Sequence, residues 1–232
     1  MIMKVLVTGG DGFVAPHLAD RLSQDGHDIF LTTRNVSNKD SKFVYMDLLD
    51  QKSINNIFSE KNFDIVFHLA AMTHIPTCIQ NPLLAFRANA LGTAYICDAI
   101  QKFSKDTLLM NCSTGSVYGK HSGIITEDCP ISPVEPYGVS KTSAELYVTD
   151  IAKIGLIKAF STRTFSHTGP GRGERFSISS DAIQIARIIK KKQSNIIDVG
   201  NLKSQRVVAD VRDIVDVYCL LVEKFIDGDI ES

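Results

Sequence analysis

Short runs of β-branched and aromatic residues alternate with longer stretches of helical periodicity along nearly the whole chain of 232 residues. The apolar runs predict strands near 2–8, 28–33, 43–46, 64–69, 107–113, 157–164 and 196–200. Apolar residues at three-to-four spacing predict helices near 13–25, 51–60, 83–103, 136–154, 177–191 and 211–225. Such alternation is typical of βαβ units, in which helices cover both faces of a parallel sheet. We therefore expect an α/β fold with a doubly wound parallel sheet.

Composition and charge narrow the kinds of partner. Hydrophobic residues make up 44% of the chain, enough for one sizeable core. The net charge of -1, from 25 basic and 26 acidic residues, gives no electrostatic footprint for nucleic acid or an anionic membrane. The apolar run at residues 1–7 is too short for a signal peptide or a membrane span and predicts a strand. Five cysteines without CxxC spacing predict reduced thiols in the cytoplasm, with neither a metal site nor a disulfide.

A glycine-rich turn at residues 8–15 joins the first predicted strand to the first predicted helix, with the sequence Thr-Gly-Gly-Asp-Gly-Phe-Val-Ala. Glycines allow the backbone to approach a pyrophosphate, and the helix that follows presents free N–H groups to the anion. The position between strand and helix is the one that a dinucleotide-binding turn requires. We therefore expect Gly9, Gly12, Phe13 and Val14 to bind a dinucleotide cofactor. A glycine turn without a ligand is the alternative.

The end of the second predicted strand bears on the choice between NAD and NADP. An acidic residue there would accept hydrogen bonds from the free ribose hydroxyls of NAD, but the strand ends in Thr32, Thr33 and Arg34. A guanidinium can pair with a 2′-phosphate instead. Arg34 therefore favours NADP(H), with NAD(H) as the second choice, and a plain surface charge is the alternative for this residue.

Tyr137 and Lys141 lie four residues apart in a predicted helix, so their side chains stack on one face. A phenol titrates near pH ~10, and an ammonium at ~4 Å contributes roughly 4 kcal/mol at an effective dielectric constant of ~20, before desolvation acts against it. We therefore expect Lys141 to lower the pKa of Tyr137 and to make the phenol an acid or base near neutral pH. By spacing alone, a solvated surface pair is the better explanation. Other motifs in the chain are needed to distinguish it from a proton-transfer pair.

Six motifs follow one another along nearly the whole chain. They are Thr8-Gly-Gly-Asp-Gly12, Asp64-Ile-Val-Phe-His-Leu-Ala-Ala71, Asn89-Ala-Leu-Gly-Thr93, Ser113-Thr-Gly-Ser-Val-Tyr-Gly119, Pro136-Tyr-Gly-Val-Ser-Lys141 and Arg206 before Asp210. Together they resemble the extended short-chain dehydrogenase/reductase family, which includes sugar-nucleotide epimerases, dehydratases and reductases. The resemblance implies an NAD(P)-binding Rossmann domain in residues 1–165 and a partial substrate-binding lobe in residues 166–232, interleaved with the last sheet elements. Family members continue past the helix near 211–225, so we expect a small, truncated lobe.

The resemblance also implies catalytic roles. In the family, the strand near 107–113 ends in a hydroxyl that bonds the reacting oxygen of the substrate, and this position falls on Thr114, with Ser113 as the neighbouring alternative. Tyr137 transfers the proton, and Lys141 holds the nicotinamide ribose. A hydroxyl can donate to a carbonyl or accept from an alcohol, so Thr114 suits hydride transfer in either direction. A hydroxyl that only caps the strand end is the alternative for Thr114.

The resemblance extends to the remaining binding residues. Besides the glycine turn and Arg34, the cofactor is expected to contact Asp47, Leu48, Leu69, Ala70 and Ala71. The substrate is expected to contact Thr73, Ser116, Ser166, Arg172 and Arg206. A planar guanidinium suits bidentate binding of a diphosphate, and Arg206 is the first choice for it, ahead of Arg172 and Arg175. His74 and His167 are expected to be wall or loop residues, because Tyr137 already fills the acid-base role.

Two local differences separate the reaction types. Dehydratases of this family carry an acid, usually Glu, two places after the catalytic hydroxyl, where this chain has Ser116, so dehydration is disfavoured. The segment 163–171 resembles the corresponding run in reductases of GDP-4-keto-6-deoxymannose. Thr164 replaces a proline of that run, and Ser166 replaces an asparagine that in such reductases usually helps to hold the substrate phosphates or the cofactor edge.

These observations predict an NAD(P)H-dependent reductase of the C4 ketone of a nucleotide-linked 4-keto-6-deoxy sugar, of the GDP-4-keto-6-deoxymannose type. A sugar-nucleotide 4-epimerase with the same Thr114, Tyr137 and Lys141 is the nearest alternative. A non-catalytic dinucleotide-binding regulator is a third, since a fold does not fix a function. From the resemblance we also expect a homodimer through the helices near 83–103 and 136–154, and neither nucleic acid nor a membrane as partner.

Overall fold

Six parallel strands form the central sheet of the computed structural model, which describes residues 2–35, 37, 40–203 and 205–230. The strands are β1 (Lys4–Thr8), β2 (Asp28–Thr33), β3 (Phe43–Tyr45), β4 (Ile65–His68), β5 (Leu108–Cys112) and β6 (Lys158–Thr162). Their order across the sheet is β3-β2-β1-β4-β5-β6, and every neighbouring pair is parallel. The chain runs outward from β1 to one edge and then returns to build the other half. The predicted doubly wound parallel sheet is confirmed.

Helices cover both faces of this sheet. They are α1 (Val14–Gln24), α2 (Gln51–Glu60), α3 (Ile75–Gln80), α4 (Pro82–Phe86), α5 (Gly92–Phe103), α6 (Pro136–Lys153), α7 (Ser177–Ile189) and α8 (Val211–Ile226). One apolar core packs α2, α5 and α6 against one face, and a second core packs α1 and α8 against the other. The central strands are therefore buried on both faces, which explains why they appear in the sequence as continuous apolar runs.

The helix predicted near 83–103 is confirmed as one continuous helical stretch, Pro82 to Phe103, that contains a π-helical turn between α4 and α5. The sequence pattern does not predict α3, which ends before Pro82, because a proline can begin a helix but cannot continue the preceding one. A π-helical turn, Arg87–Leu91, follows α4 before α5 begins at Gly92. A Cβ on Gly92 would lie 2.8 Å from the Cβ of Leu48, so the glycine lets α5 pass close to the loop after β3.

The strand predicted near 196–200 is wrong as well. Two three-residue strands that the pattern does not predict, β7 (Ser166–Thr168) and β8 (Val208–Asp210), pair in parallel as a second sheet. The predicted strand is replaced by a contact with α7. There the side chain of Gln184 accepts from the N–H of Asp198 at 2.9 Å and donates to the Asp198 carbonyl at 3.0 Å. One side-chain amide thus supplies the hydrogen bonds that a neighbouring strand would have made.

From the second sheet, α8 returns to the central sheet and packs beside α1. Val215 and Tyr218 of α8 share a buried core with Leu18 of α1. Arg21 of α1 donates to the carboxylate of Asp216 on α8 at 2.8 Å. The segment after residue 166 therefore contributes both to the second sheet and to a layer of the central one. No helix within the described ranges is long and apolar enough to cross a membrane.

Candidate active site

The glycine-rich turn connects β1 to α1 through a tight, cross-linked loop. The N–H of Gly10 donates to the carbonyl of Thr32 at 2.8 Å, and the N–H of Gly12 donates to the carbonyl of Gly9 at 2.8 Å. Gly9 has a φ of 76°, and a Cβ there would lie 3.0 Å from the Cα of Ala70. Only glycine combines such a φ with so close an approach at little cost. The turn is therefore held between β2 and the loop after β4.

The start of α1 fits the pyrophosphate of a dinucleotide cofactor. Phe13 precedes the helix, and its side chain makes no capping hydrogen bond to the described residues. The first N–H groups of α1, which begins at Val14, are therefore not taken by that side chain. Free N–H groups and the helix dipole together favour an anion at this position. The four residues predicted to bind the cofactor phosphates thus surround one helix start.

The end of β2 carries two charged groups of opposite sign. The hydroxyl of Thr32 accepts from the N–H of Gly9 at 3.0 Å, which ties β2 to the glycine turn. The hydroxyl of Thr33 donates to the carboxylate of Asp11 at 2.5 Å. Arg34 follows as an exposed side chain. A carboxylate from the glycine turn, that of Asp11, therefore lies at the end of β2, where the sequence of the strand itself has no acidic residue.

The remaining predicted cofactor residues lie on the loops after β3 and β4, at the same edge of the sheet. Asp47 accepts from the N–H of Leu49 at 2.9 Å, so its carboxylate partly serves its own turn. Leu48 is buried against α5. The others are half-buried residues on the loop after β4: Leu69, Ala70 and Ala71. Their position fits a ligand lying across the carboxyl ends of the strands.

Thr114, Tyr137 and Lys141 lie together at the carboxyl end of β5. Tyr137 is in the first turn of α6, and Lys141 lies one turn further along. Thr114 follows β5, and its hydroxyl hydrogen-bonds to the phenol of Tyr137. The same hydroxyl accepts from the N–H of Ser116 at 3.2 Å, where a 3₁₀ turn begins. The structure therefore shows Thr114 both capping the turn and in contact with Tyr137.

Burial controls the protonation of this pair. It raises the pKa of Tyr137 to about 12, and the hydrogen bond with Thr114 acts in the opposite direction. Burial also lowers the pKa of Lys141, which is 2% exposed, while electrostatic interactions with Cys112 and Glu145 oppose that shift. The expectation that Lys141 lowers the pKa of Tyr137 is therefore wrong for the protein alone, because desolvation of the phenol dominates. Tyr137 stays protonated at neutral pH, as a proton donor must.

Ser113, the alternative hydroxyl, is bonded to α6. Its hydroxyl donates to Oε2 of Glu145 at 2.5 Å. Glu145 is 4% exposed and accepts at Oε1 from Nε of Arg163 at 2.7 Å. Ser113 is therefore engaged with Glu145, whereas Thr114 lies beside Tyr137. Glu145 and Arg163 were not predicted as site residues. The four-residue spacing places Glu145 on the same helix face as Lys141, but it does not reveal the partner at the end of β5.

A buried histidine connects the glycine turn to the helices on one face of the sheet. The hydroxyl of Thr8 lies 2.8 Å from Nδ1 of His68 and accepts from the N–H of Ala70 at 3.0 Å. Nε2 of His68 lies 2.9 Å from the hydroxyl of Thr93, which itself donates to the carbonyl of Asn89 at 2.6 Å. Nε2 must therefore carry the proton. Burial, assisted by Lys141, lowers the pKa of His68 to about 3, so the ring is neutral.

The π-helical turn continues this chain of hydrogen bonds to α6. The side-chain amide of Asn89 donates to the hydroxyl of Ser140 at 3.0 Å, and Ser140 donates to the carbonyl of Tyr137 at 2.8 Å. The same amide oxygen accepts from the N–H of Met72 at 2.7 Å. The cofactor turn and the first turn of the catalytic helix are thus joined through buried polar groups, none of which the sequence analysis identified as site residues.

The sequence model of the NAD dependent epimerase/dehydratase family matches residues 5–231. The chain belongs to this family. GDP-6-deoxy-D-mannose reductase of Pseudomonas aeruginosa is 31% identical over 225 residues, which are 96% of this chain and 71% of that protein. The structure of RMD from the same organism complexed with NADPH is 29% identical, with a TM-score of 0.81 and coverage of 95% of this chain and 72% of that one. UDP-glucose 4-epimerase of Thermus thermophilus in complex with NAD is 26% identical, with a TM-score of 0.81 and coverage of 94% and 74%.

Membership in the NAD dependent epimerase/dehydratase family confirms the resemblance to extended short-chain dehydrogenases/reductases and makes this chain an NAD(P)-dependent enzyme. The residues predicted to hold the substrate are only partly gathered. Ser116 lies beside Thr114, and Thr73 is exposed on the loop after β4. Ser166 is exposed at the start of β7, and Arg206 is exposed shortly before β8.

Arg172 is the member of the predicted substrate set that lies nearest the cofactor turn. Its guanidinium lies over the ring of Phe13, 4.7 Å from the centroid, and over Phe176 at 3.6 Å. Its charge also acts on Tyr137. Arg175 is exposed further along the same loop. Arg172 therefore contacts Phe13 of the glycine turn and lies within electrostatic reach of Tyr137.

The two histidines considered as acid-base candidates have other partners. His74 precedes α3, and its Nδ1 lies 2.7 Å from the hydroxyl of Thr77. The ring of His167 stacks on Phe13 at 6.0 Å between centroids, and burial lowers its pKa. Both agree with the expected wall or loop role. Among the described residues, no group of three or more His, Cys, Asp or Glu side chains is placed to hold a metal ion.

Proposed function

We propose that this enzyme uses NADPH to reduce the C4 ketone of a nucleotide-linked 4-keto-6-deoxy sugar, of the GDP-4-keto-6-deoxymannose type. The observation that carries the proposal is that Thr114, which follows β5, lies beside Tyr137 in the first turn of α6, with Lys141 one turn further along. Ketone reduction needs a proton donor at the substrate oxygen. The likeness to GDP-6-deoxy-D-mannose reductase supports the choice of sugar nucleotide.

A bound nicotinamide supplies the hydride that C4 receives, and the residues of this chain act on the carbonyl oxygen. The hydroxyl of Thr114 donates to that oxygen and orients the carbonyl. Tyr137 then transfers its phenolic proton to the developing alkoxide, and Lys141, one helical turn further along α6, would hold the nicotinamide ribose. The buried setting strengthens each of these interactions. Ser116 offers no carboxylate for a second proton transfer, so the sugar leaves with its C5 and C6 substituents unchanged.

The preference for NADPH rests on Arg34, which is exposed at the end of β2 and available to a 2′-phosphate. Asp11 lies nearby and is bonded to Thr33. A carboxylate repels a phosphate. The preference for NADPH over NADH therefore depends on the carboxylate of Asp11 staying hydrogen-bonded to Thr33. A change of Arg34→Ala is expected to weaken NADPH binding at least tenfold and to leave NADH binding within twofold, measured by titrating the fluorescence of each reduced cofactor.

The test of the proposed reaction is a screen of GDP-, UDP- and dTDP-linked 4-keto-6-deoxy sugars with NADH and NADPH. Loss of absorbance of the reduced cofactor with the GDP-linked substrate supports the proposal, and product analysis should show a new C4 alcohol. If the protein binds NADPH but consumes none with any of the keto sugars, the proposal is wrong. Tyr137→Phe serves as the control for non-enzymatic consumption.

A sugar-nucleotide 4-epimerase is the second candidate, because the likeness to UDP-glucose 4-epimerase spans a similar share of the chain. The same three catalytic residues would serve oxidation followed by reduction within one turnover. The two candidates differ in how they treat the cofactor. A reductase must exchange it, so NAD that remains bound at one per chain through purification, together with interconversion of UDP-sugars, would favour the epimerase.

We further propose a division of the chain into a cofactor-binding part and a substrate-binding part. Residues 1–165 would hold the cofactor, and residues 166–232 would supply the substrate side, although α8 packs in the same layer as α1. We also propose a homodimer, since α4, the π-helical turn and α6 expose large apolar side chains: Leu83, Leu84, Phe86, Leu91, Val139, Leu146 and Tyr147. The five free thiols support a reducing compartment such as the cytoplasm.

A further inference from the structure

We propose that Glu145 is a positioning residue of the catalytic centre, which fixes the strand end that carries Thr114 against the helix that carries Tyr137 and Lys141. This inference deepens the proposed function and rests on it, because it supposes that Thr114 and Tyr137 act together on one substrate oxygen. Three observations support it: a hydrogen bond to the residue before Thr114, an ion pair with Arg163, which in turn bonds the end of the following turn, and the negative charge near Lys141.

The first observation is the bond between Glu145 and Ser113. Glu145 lies on α6 two turns after Tyr137 and is 4% exposed. Its Oε2 accepts from the hydroxyl of Ser113 at 2.5 Å, and Ser113 directly precedes Thr114. Hydrogen bonds to a carboxylate are shorter and stronger than those between neutral groups. The carboxylate therefore ties the end of β5 to α6 at one residue from the catalytic hydroxyl.

The second observation concerns the other carboxylate oxygen. Oε1 of Glu145 accepts from Nε of Arg163 at 2.7 Å, just beyond the end of β6. Nη1 of Arg163 donates to the hydroxyl of Tyr118 at 2.8 Å and to the carbonyl of Glu127 at 3.0 Å. Tyr118 ends the 3₁₀ turn that Thr114 caps. A single carboxylate–guanidinium pair thus holds both ends of the segment that presents Thr114.

Stability alone is a poor explanation for this pair. The side chain of Glu145 is 5% exposed and that of Arg163 is 23% exposed, so both charges are largely out of water. The free-energy cost of desolvating two charges is about as large as the attraction between them in a buried ion pair, so such pairs contribute little to stability. Their fixed geometry, in contrast, specifies where their neighbours lie. Here the neighbours are the catalytic hydroxyl and the helix of the proton donor.

The third observation is the charge around Lys141, one turn before Glu145. Glu145 from α6 and Cys112 from β5 both favour the charged form of Lys141 against its burial. Arg163 approaches Glu145 from beyond β6, and His68 on β4 is neutral at neutral pH because burial lowers its pKa to about 3. Of these groups, Glu145 is the carboxylate. It therefore helps to keep the ammonium charged where Tyr137 needs it.

The experiment compares three variants of the full chain. Glu145→Gln keeps the size of the side chain and removes its charge. Ser113→Ala removes one hydrogen bond and leaves the bond between Glu145 and Arg163. Glu223→Gln, on the exposed side of α8, is the matched control. NADPH consumption, cofactor affinity and thermal unfolding are measured for each.

We expect Glu145→Gln to lower kcat by about tenfold to a hundredfold, as a small misplacement of a catalytic group does. The KM for the keto sugar and the Kd for NADPH should stay within threefold. Ser113→Ala should lower kcat too, and the double variant should be no slower than Glu145→Gln alone, since both changes break one connection. The loss of activity at alkaline pH should also begin at a lower pH in Glu145→Gln than in the wild type, because the pKa of Lys141 falls when the negative charge of Glu145 is removed.

A kcat within twofold of the wild-type value in Glu145→Gln would overturn the proposal. So would equal losses of kcat and cofactor affinity, which indicate general damage. If Glu145→Gln does not fold, Ser113→Ala and Arg163→Lys decide by the same comparison of kcat with KM. If even the wild type reduces no keto sugar, the proposed function fails, and NMR titration of labelled lysines then decides. A lower pKa of Lys141 in Glu145→Gln, but not in Glu223→Gln, supports the inference, and an unchanged pKa refutes it.

Discussion

Tyr137 and Lys141 lie one helical turn apart, as their spacing predicts, yet burial raises the pKa of the first and lowers that of the second. The sequence could specify the residue types and the shared helix face, because both follow from local periodicity. It could not specify the desolvation, which comes from elements distant in the chain. Glu145 was missed for the same reason, since its partner Ser113 lies 32 residues away.

Tyr137→Phe tests the proton donor. The change keeps the ring and removes the acidic hydroxyl, so turnover should fall by roughly 10²–10⁴-fold, the usual contribution of general acid catalysis. NADPH affinity should stay within threefold, measured by fluorescence titration. Tyr147→Phe, at an exposed position on the same helix, is the control and should retain full activity. Substantial turnover in Tyr137→Phe would mean that another group supplies the proton.

The pH dependence of reduction should report Lys141 before Tyr137. Tyr137 must be protonated, and its pKa of about 12 keeps it so through the working range. Lys141 must be charged, and burial lowers its pKa, so activity should fall with rising pH first through loss of the ammonium. Lys141→Arg carries a charge at every accessible pH and should be slower but lack this decline. If Lys141→Arg loses activity with rising pH as the wild type does, a group other than Lys141 causes that loss.

At the level of elements, the sequence predicts what is long and buried. The strands of the central sheet were predicted because each contains a run of apolar residues, and α1, α6, α7 and α8 because their periodicity extends over three or more turns. Strands β7 and β8 have the sequences Ser-His-Thr and Val-Ala-Asp, which lack the apolar run that made the equally short β3 predictable. The bond from Gln184 to Asp198 and the approach of Gly92 to Leu48 depend on tertiary contacts, so no local pattern could reveal them.

Gly9 and Gly155 form a matched pair for testing the cofactor turn. Their φ values are 76° and 77°, so alanine costs each about 1–2 kcal/mol of backbone strain. An added Cβ at Gly155 meets nothing within 4 Å, whereas at Gly9 it lies 3.0 Å from the Cα of Ala70. Gly9→Ala should therefore lose more stability in urea titration and at least tenfold in NADPH affinity, while Gly155→Ala binds NADPH normally. Equal affinities in the two variants would count against a role for the turn in binding.

For the whole molecule, composition and alternation predicted one α/β core, and the two buried clusters on either side of the sheet agree. The second sheet and the return of α8 to α1 were not predicted in detail, because long-range packing leaves no local trace. The proposed homodimer rests on the exposed apolar side chains of α4, the π-helical turn and α6, because exposed apolar surface can mark an interface.

Leu146→Glu tests that interface. Leu146 is 54% exposed on α6, and a carboxylate buried between two copies would be strongly unfavourable. Light scattering after size exclusion should show a dimer for the wild type and a monomer for this variant, with unchanged circular dichroism. Leu202→Glu is the control, because Leu202 is 82% exposed on the segment between α7 and β8 and should leave the dimer intact. A monomeric wild type would refute the dimer outright.

The pairing of Arg21 with Asp216 joins helices that are 195 residues apart in sequence. During synthesis, the apolar stripe of α1 and the sheet face beneath it emerge long before α8 is available to cover them. At about 5–20 residues per second, the interval is roughly 10–40 s. During that time Leu18 and its apolar neighbours are exposed, and they can associate with other nascent chains. The protein should therefore depend more on chaperones when the synthesis of α8 is delayed. Slow codons between α7 and α8 should lower the yield of soluble protein.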